Sequence, residues 1–254
     1  QRAADDINRV VLEKVYNLER TIHNVSVLLD LSDKVDKESI VNGIERSLPK
    51  KAYFEKVIWI HPVQNIGSKV RQWNIMSLYT NNEDSLPPIE ISEIYHGRFV
   101  DKITQYTSGN QKTVSFISDL PGVEAFGEGT KGNISRPFAL ALPVAPGKPE
   151  KGIIVGLCHS RALIDFDWMD QQRLLASVSF RDQEARLVLL NIDYGNGNGS
   201  ESEHFHVSDK SSHSLIKSNN LVVGGRPLVL NVGIREGTRE VFLDKIPLLM
   251  MLFG

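Results

Sequence analysis

The chain has 254 residues, 41% hydrophobic and 24% charged, with apolar residues along its whole length, which excludes a disordered polypeptide. A net charge of -2 excludes the basic footprint of a nucleic-acid binder, and a single cysteine, Cys158, excludes a disulfide framework or a multi-cysteine metal centre. The length admits one large domain or two small ones, each able to bury a core.

The first element is a long helix over residues 3–31. Val11, Val15, Leu18, Ile22, Val25 and Leu29 follow a heptad a/d spacing, with Glu13, Lys14, Glu19, Arg20 and Asn24 between them. Such a helix is about 40 Å long at 1.5 Å per residue. Its stripe can pack along its own domain, pair with a second copy as a dimer seam, or do both. A second helix opens at Asp36, carries Ile40, Val41, Ile44 and Leu48 on one side, and stops at Pro49. The period then becomes strand-like at Val57-Ile58-Trp59-Ile60-His61 and again at 73–79. Residues 94–106 return to helical spacing, and strands are expected at 113–118, 137–144 and 152–159. That order makes an antiparallel sheet with a helix on one face. A shorter version follows: a helix over 167–176, a strand over 185–193, a flexible Gly/Asn/Ser loop, and a hairpin turning at Gly224-Gly225. The architecture expected is α+β, two small sheet domains in series on one long helix. The last residues, from Ile246 to Gly254, form an apolar run, read either as a buried terminus or as the first turns of a membrane helix.

Catalytic signatures are scarce. Gly127-Glu128-Gly129-Thr130-Lys131-Gly132 has the literal dinucleotide spacing, but a strand follows it where a helix is required, so it is read as a loop. His204-Phe205-His206 would present two rings on one side of an extended chain, without a nearby third ligand. Cys158 lies in an apolar strand as a small hydrophobe, and Asp165, Asp167 and Asp170 suit capping of a helix start. Three Asn-x-Ser sequons, at Asn24, Asn133 and Asn198, are weak evidence for a secretory origin. No catalytic residue, metal site or cofactor is expected.

What remains is a binding module. Trp73, Ile75, Ser77 and Tyr79 alternate onto one face of the second strand, and Phe138 and Leu140 do so on a later one. With Trp59, Phe116 and Leu157, and with Ser115 and His159 as polar tips, they make an apolar surface of the kind a small-ligand pocket requires.

The order of these pieces resembles a CHASE-type extracytoplasmic sensor domain, found between two membrane helices in sensor kinases and some cyclic-nucleotide enzymes. The resemblance is carried by several stretches. They are Leu18-Glu19-Arg20 in the long helix, Val57-Ile58-Trp59-Ile60-His61-Pro62-Val63, and the passage from Phe99 through Gly109 to Thr113-Val114-Ser115-Phe116. Further on come Phe138-Ala139-Leu140-Ala141-Leu142-Pro143-Val144, Lys151-Gly152-Ile153-Ile154-Val155-Gly156 and Leu221-Val222-Val223-Gly224-Gly225-Arg226. It implies a helical stalk bearing two tandem PAS-like domains. Residues 1–48 would be the stalk and second helix, 49–165 the membrane-distal ligand-binding domain, 166–245 the membrane-proximal domain, and 246–254 the start of a membrane helix. The implied function is ligand sensing outside the cytoplasm by part of a membrane-bound receptor, in the periplasm for a bacterial protein. The chain itself would not be an enzyme. It would form a homodimer through the stalk, and its parent would be a histidine kinase of a two-component system. Alternatives are the sensor of a diguanylate cyclase or phosphodiesterase, and a soluble ligand-binding or scaffold protein. Plant members hold adenine-type cytokinins partly by a carboxylate; here Ser68-Lys69-Val70-Arg71-Gln72-Trp73 offers no acid. The resemblance therefore carries over a pocket location and no ligand.

Overall fold

A computed structural model describes residues 2–31, 38, 41–43, 54–63, 72–80, 89, 91, 93–107, 113–123, 126–127, 134–146, 148–163, 175–193 and 215–234. Helix α1 runs from Arg2 to Leu31, and its stripe is apolar enough to be drawn wholly inside. Val11, Val15, Leu18, Ile22, Val25 and Leu29 are all buried, Ile22 and Val25 completely. They pack against the chain's own sheets in one continuous core. The stripe expected to serve as a dimer seam is thus consumed within the chain.

The first sheet has the order β2-β1-β7-β6-β3. Its strands are β1 (Lys56–Val63), β2 (Gln72–Thr80), β3 (Ser115–Ile117), β6 (Pro137–Pro143) and β7 (Ile153–His159), all antiparallel. β6 and β7 are apolar on both faces because both are covered. On one side lies α1; on the other lies helix α2 (His96–Thr107), which buries Phe99, Val100 and Ile103. The sequence pattern led to a helix on one face only. Gly156 permits the close approach of α1, since a Cβ there would collide with the Phe54 ring and meet Ile22 Cδ1 at 2.7 Å.

The second sheet has the order β10-β11-β8-β9-β5-β4. Four of its strands are β8 (Leu175–Asp182), β9 (Leu187–Asp193), β10 (Leu215–Val223) and β11 (Arg226–Ile234). Val178, Phe180, Leu190, Leu228, Leu230 and Val232 are buried in the α1 core. Opposite them, Ser179, Asn231 and Ser218 form a polar ladder, as a half-solvated antiparallel sheet requires. β8 replaces the end of the helix expected over 167–176; residues 164–174 lie outside the described set. The remaining strands, β4 (Phe126–Gly127) and β5 (Ile134–Ser135), come from the stretch assigned to the first domain, yet β5 pairs with β9 and β4 with β5. The sheets therefore do not divide at residue 165. Arg136 N–H donates to Leu189 O at 2.7 Å and Ser160 Oγ to the same carbonyl at 2.7 Å, fastening this crossing.

The β10–β11 hairpin turns on Gly224 and Gly225, with φ of 53° and 77°, the paired positive angles of a type I′ turn. Its tip docks on β3, an edge strand, whose Phe116 N–H donates to Gly224 O at 3.3 Å. The Gly224 N–H in turn donates to Glu19 Oε1 of α1 at 2.9 Å.

Candidate functional site

A cleft of about 380 Å³ opens between β2 and the N-terminal half of α2. Strand β2 contributes Trp73, Asn74 and Ile75; α2 contributes His96, Gly97, Val100 and Asp101. The geometry follows from two periods. Residues 73 and 75 share a face of the strand, and 97, 100 and 101 share a side of the helix turned toward it. Trp73 and Ile75 pack on the buried cluster formed with Phe99 and Ile103, which fixes the wall while leaving part of each ring and chain open. Val100 is buried at the floor, whereas His96 and Asp101 are exposed at the rim. Asp101 is the only acid among the described lining residues. His96 Nε2 lies 3.2 Å from Ile91 O, and the Asn74 amide lies 3.3 Å from His61 Nε2, so both rim groups are oriented by neighbours.

The ligand-binding residues expected from sequence separate onto the two faces of the first sheet. Trp73 and Ile75 line the cleft, and Leu157 is buried beneath the same face. Trp59, Phe116, Phe138 and Leu140 lie on the opposite face, in or against the α1 core. There Phe116 and Phe138 stack at 5.0 Å, and Trp59 Nε1 donates to Lys151 O at 2.9 Å. The expected alternation from Trp73 to Tyr79 fails at a bulge, where pairing shifts from Val57↔Tyr79 to Ile58↔Ser77. One extra residue sends Leu78 and Tyr79 both to the α1 side, and Ser77 Oγ lies 3.2 Å from Thr80 Oγ1 at the surface. Ser115 and His159 are buried, Ser115 Oγ donating to Tyr106 O at 3.1 Å. A single pocket holding all eleven residues does not exist.

Other candidates resolve simply. Burial pushes the Cys158 thiol well above its ordinary value, and the nearby Glu55 carboxylate pushes it the same way, so it is a protonated core group. No group of three or more potential metal ligands occurs among the described residues. His204, His206, residues 128–133 of the glycine-rich stretch and the apolar run from Ile246 lie outside them. No described helix is long and apolar enough to cross a membrane.

No family model matches the chain, and no curated protein matches it. The CHASE-type likeness is therefore one of element order alone. Among solved structures, the chain is similar to the ligand-binding domain of the Pseudomonas aeruginosa PAO1 amino acid chemoreceptor PctC, solved in complex with GABA. The match has 12% identity and a TM-score of 0.39, over 90% of this chain and 98% of that one. At that score the likeness carries no argument about this chain.

The cleft residues contributed by α2 escaped the sequence reading. His96, Gly97, Val100 and Asp101 were legible as one side of an amphipathic helix. Only the packing of α2 over β2, rather than over the other face, turns that side into a wall.

Proposed function

We propose that this chain is the small-molecule-sensing part of a membrane-bound receptor, taking its ligand in the cleft between β2 and α2. The observation that carries the reading is the composition of that cleft. An indole and two aliphatic side chains form a fixed apolar wall, and an amide, an imidazole and a carboxylate stand at its rim. Ligand sites combine such walls with few, oriented polar groups, and nothing among the described residues of the cleft resembles a nucleophile–base pair. In the same proposal the domain lies outside the cytoplasm, and the parent chain carries a signalling enzyme, a histidine kinase in the first instance. Pairing with a second copy would use the outer side of α1, where Leu12, Tyr16, Val27 and Leu31 are exposed.

A thermal-shift screen of amines, carboxylates and sugars tests the cleft. A ligand at 100 times its dissociation constant adds about 2.7 kcal/mol to stability. The shift should disappear in Trp73→Ala and shrink in Asp101→Asn. A hit whose shift survives both substitutions, or a library without hits, would overturn the site. The parent reading frame tests the receptor: hydrophobic helices on both sides followed by a kinase module support it, and a gene without them refutes it.

A further inference from the structure

Helix α2 has a second attachment, at the end away from the cleft. Tyr106, in its last turn, accepts a hydrogen bond at its hydroxyl from Arg226 Nη2 at 2.5 Å, and the Arg226 guanidinium lies 4.8 Å from the Tyr106 ring centroid. Arg226 opens β11 of the second sheet. Its Nη1 is 3.3 Å from Asp182 Oδ2, at the end of β8, and its Nε is 3.5 Å from Glu184. The Asp182 side chain is fully buried and saturated: Oδ2 also accepts from Ser118 Oγ at 2.5 Å, and Oδ1 accepts the N–H groups of Glu184 and Ala185 at 3.0 Å each. Ser118, directly after β3, belongs like Tyr106 to the first sheet's half.

The division of charge is the informative part. Arg226 on β11, Asp182 at the end of β8 and Glu184 in the turn after it all belong to the second half, so the one cation meets its carboxylates on its own side. The groups that reach across from the first half are neutral: the hydroxyls of Tyr106 and Ser118, and the Tyr106 ring beside the Arg226 guanidinium. Separating a buried ion pair leaves an uncompensated charge. Releasing the Tyr106 hydroxyl and ring gives up neutral contacts while the Arg226–Asp182 pair stays intact. The junction can therefore slip or re-form without stranding a charge, which suits an element with two arrangements of similar energy.

We infer that α2 is a coupling lever, with the cleft at its N-terminal half and the Tyr106–Arg226 contact as its joint to the second sheet. From Gly97 to Tyr106 the helix spans about 13 Å at 1.5 Å per residue, a short and stiff distance. A molecule that displaces His96, Gly97 and Asp101 moves Tyr106 with them, because all four lie on one uninterrupted hydrogen-bonded helix. This inference rests on the proposed ligand cleft for its biological use, but the mechanical link is testable without any ligand.

The experiment is hydrogen exchange on the unliganded chain. Tyr106→Phe removes only the hydroxyl. It should speed exchange of the amides around 221–228, in the other half, by roughly twofold to tenfold, the factor one hydrogen bond predicts. Arg226→Gln should speed exchange over 96–102 beside the cleft. The double variant should exceed Arg226→Gln alone by little, since Arg226→Gln already removes the Tyr106 hydroxyl's bond along with the ion pairs to Asp182 and Glu184. Exchange in β1 should remain unchanged, which separates coupling from general destabilisation. Effects confined to each variant's own half, a double effect equal to the product, or an equal rise in β1 would overturn the inference. Arg226→Lys, which keeps the charge beside Asp182, replaces Arg226→Gln if that variant does not fold. A chain that passes this test and fails the metabolite screen would refute the cleft and leave the lever standing.

Discussion

Cys158 shows how a single buried group sets a condition on the whole protein. In the unfolded chain its thiol ionises at an ordinary pKa of about 8.5; in the fold, burial and Glu55 hold that pKa well above this. Its folded value is raised, so its contribution is fully present below the unfolded pKa and is lost as pH climbs through and beyond it. The unfolded state then releases a proton that the native state keeps. Urea unfolding of the parent chain and Cys158→Ala at pH 7 and at pH 10 should show the consequence. Relative to the variant, the parent should lose stability at up to about 1.4 kcal/mol per pH unit above the unfolded thiol pKa. Parallel pH curves would show that Cys158 ionises equally in both states. Within the sequence Cys158 was legible as a core residue, because Ile153 to Leu157 precede it as an apolar strand.

Among the elements, α1 was the most legible and was also the most open to misreading. A heptad stripe reports that one face is buried and is silent on what buries it. Here the chain's own sheets do so, and the two sides of the helix should respond differently to the same chemistry. Ile22→Glu puts a carboxylate into a fully buried site and should cost several kcal/mol or prevent folding altogether. Tyr16→Glu, on a residue that is 63% exposed, should change stability by no more than about 0.5 kcal/mol. Chemical denaturation of the two variants measures the contrast; a similar loss in both would mean that α1 is covered on both sides. The bulge in β2 and the short strands β4 and β5 were illegible for a different reason. A bulge is set by pairing with β1, and a two-residue strand has no period to read. The cleft was half legible: Trp73 and Ile75 stood out as an apolar alternation, while its helical wall depends on which face α2 covers.

Across the molecule, α1 joins both sheets into a single core, with Ser26 bonded to Pro143 O and Val144 O near one end and Glu19 to the hairpin tip in its middle. Lys14, almost buried, donates to Ala162 O from the same helix. Two halves that share a helix, a core and a polar junction should unfold as one unit. Tryptophan fluorescence and far-ultraviolet circular dichroism should trace coincident urea transitions. Two separated transitions would show that the halves are independently stable, and the shared core would then contribute little.

The crossing of β4 and β5 into the second sheet carries a lesson about dissection. A gene fragment ending at residue 165 would retain these two strands but discard β9, the strand that β5 pairs with, and would strip α1 of its contacts with β10 and β11. The complementary fragment would start without β5 on its outer edge, leaving an unpaired strand of the kind that recruits foreign partners. Swapping either half into a chimaera at that point would therefore graft an open edge rather than a module. A viable splice must carry residues 126–135 together with the second sheet, or leave the whole unit intact.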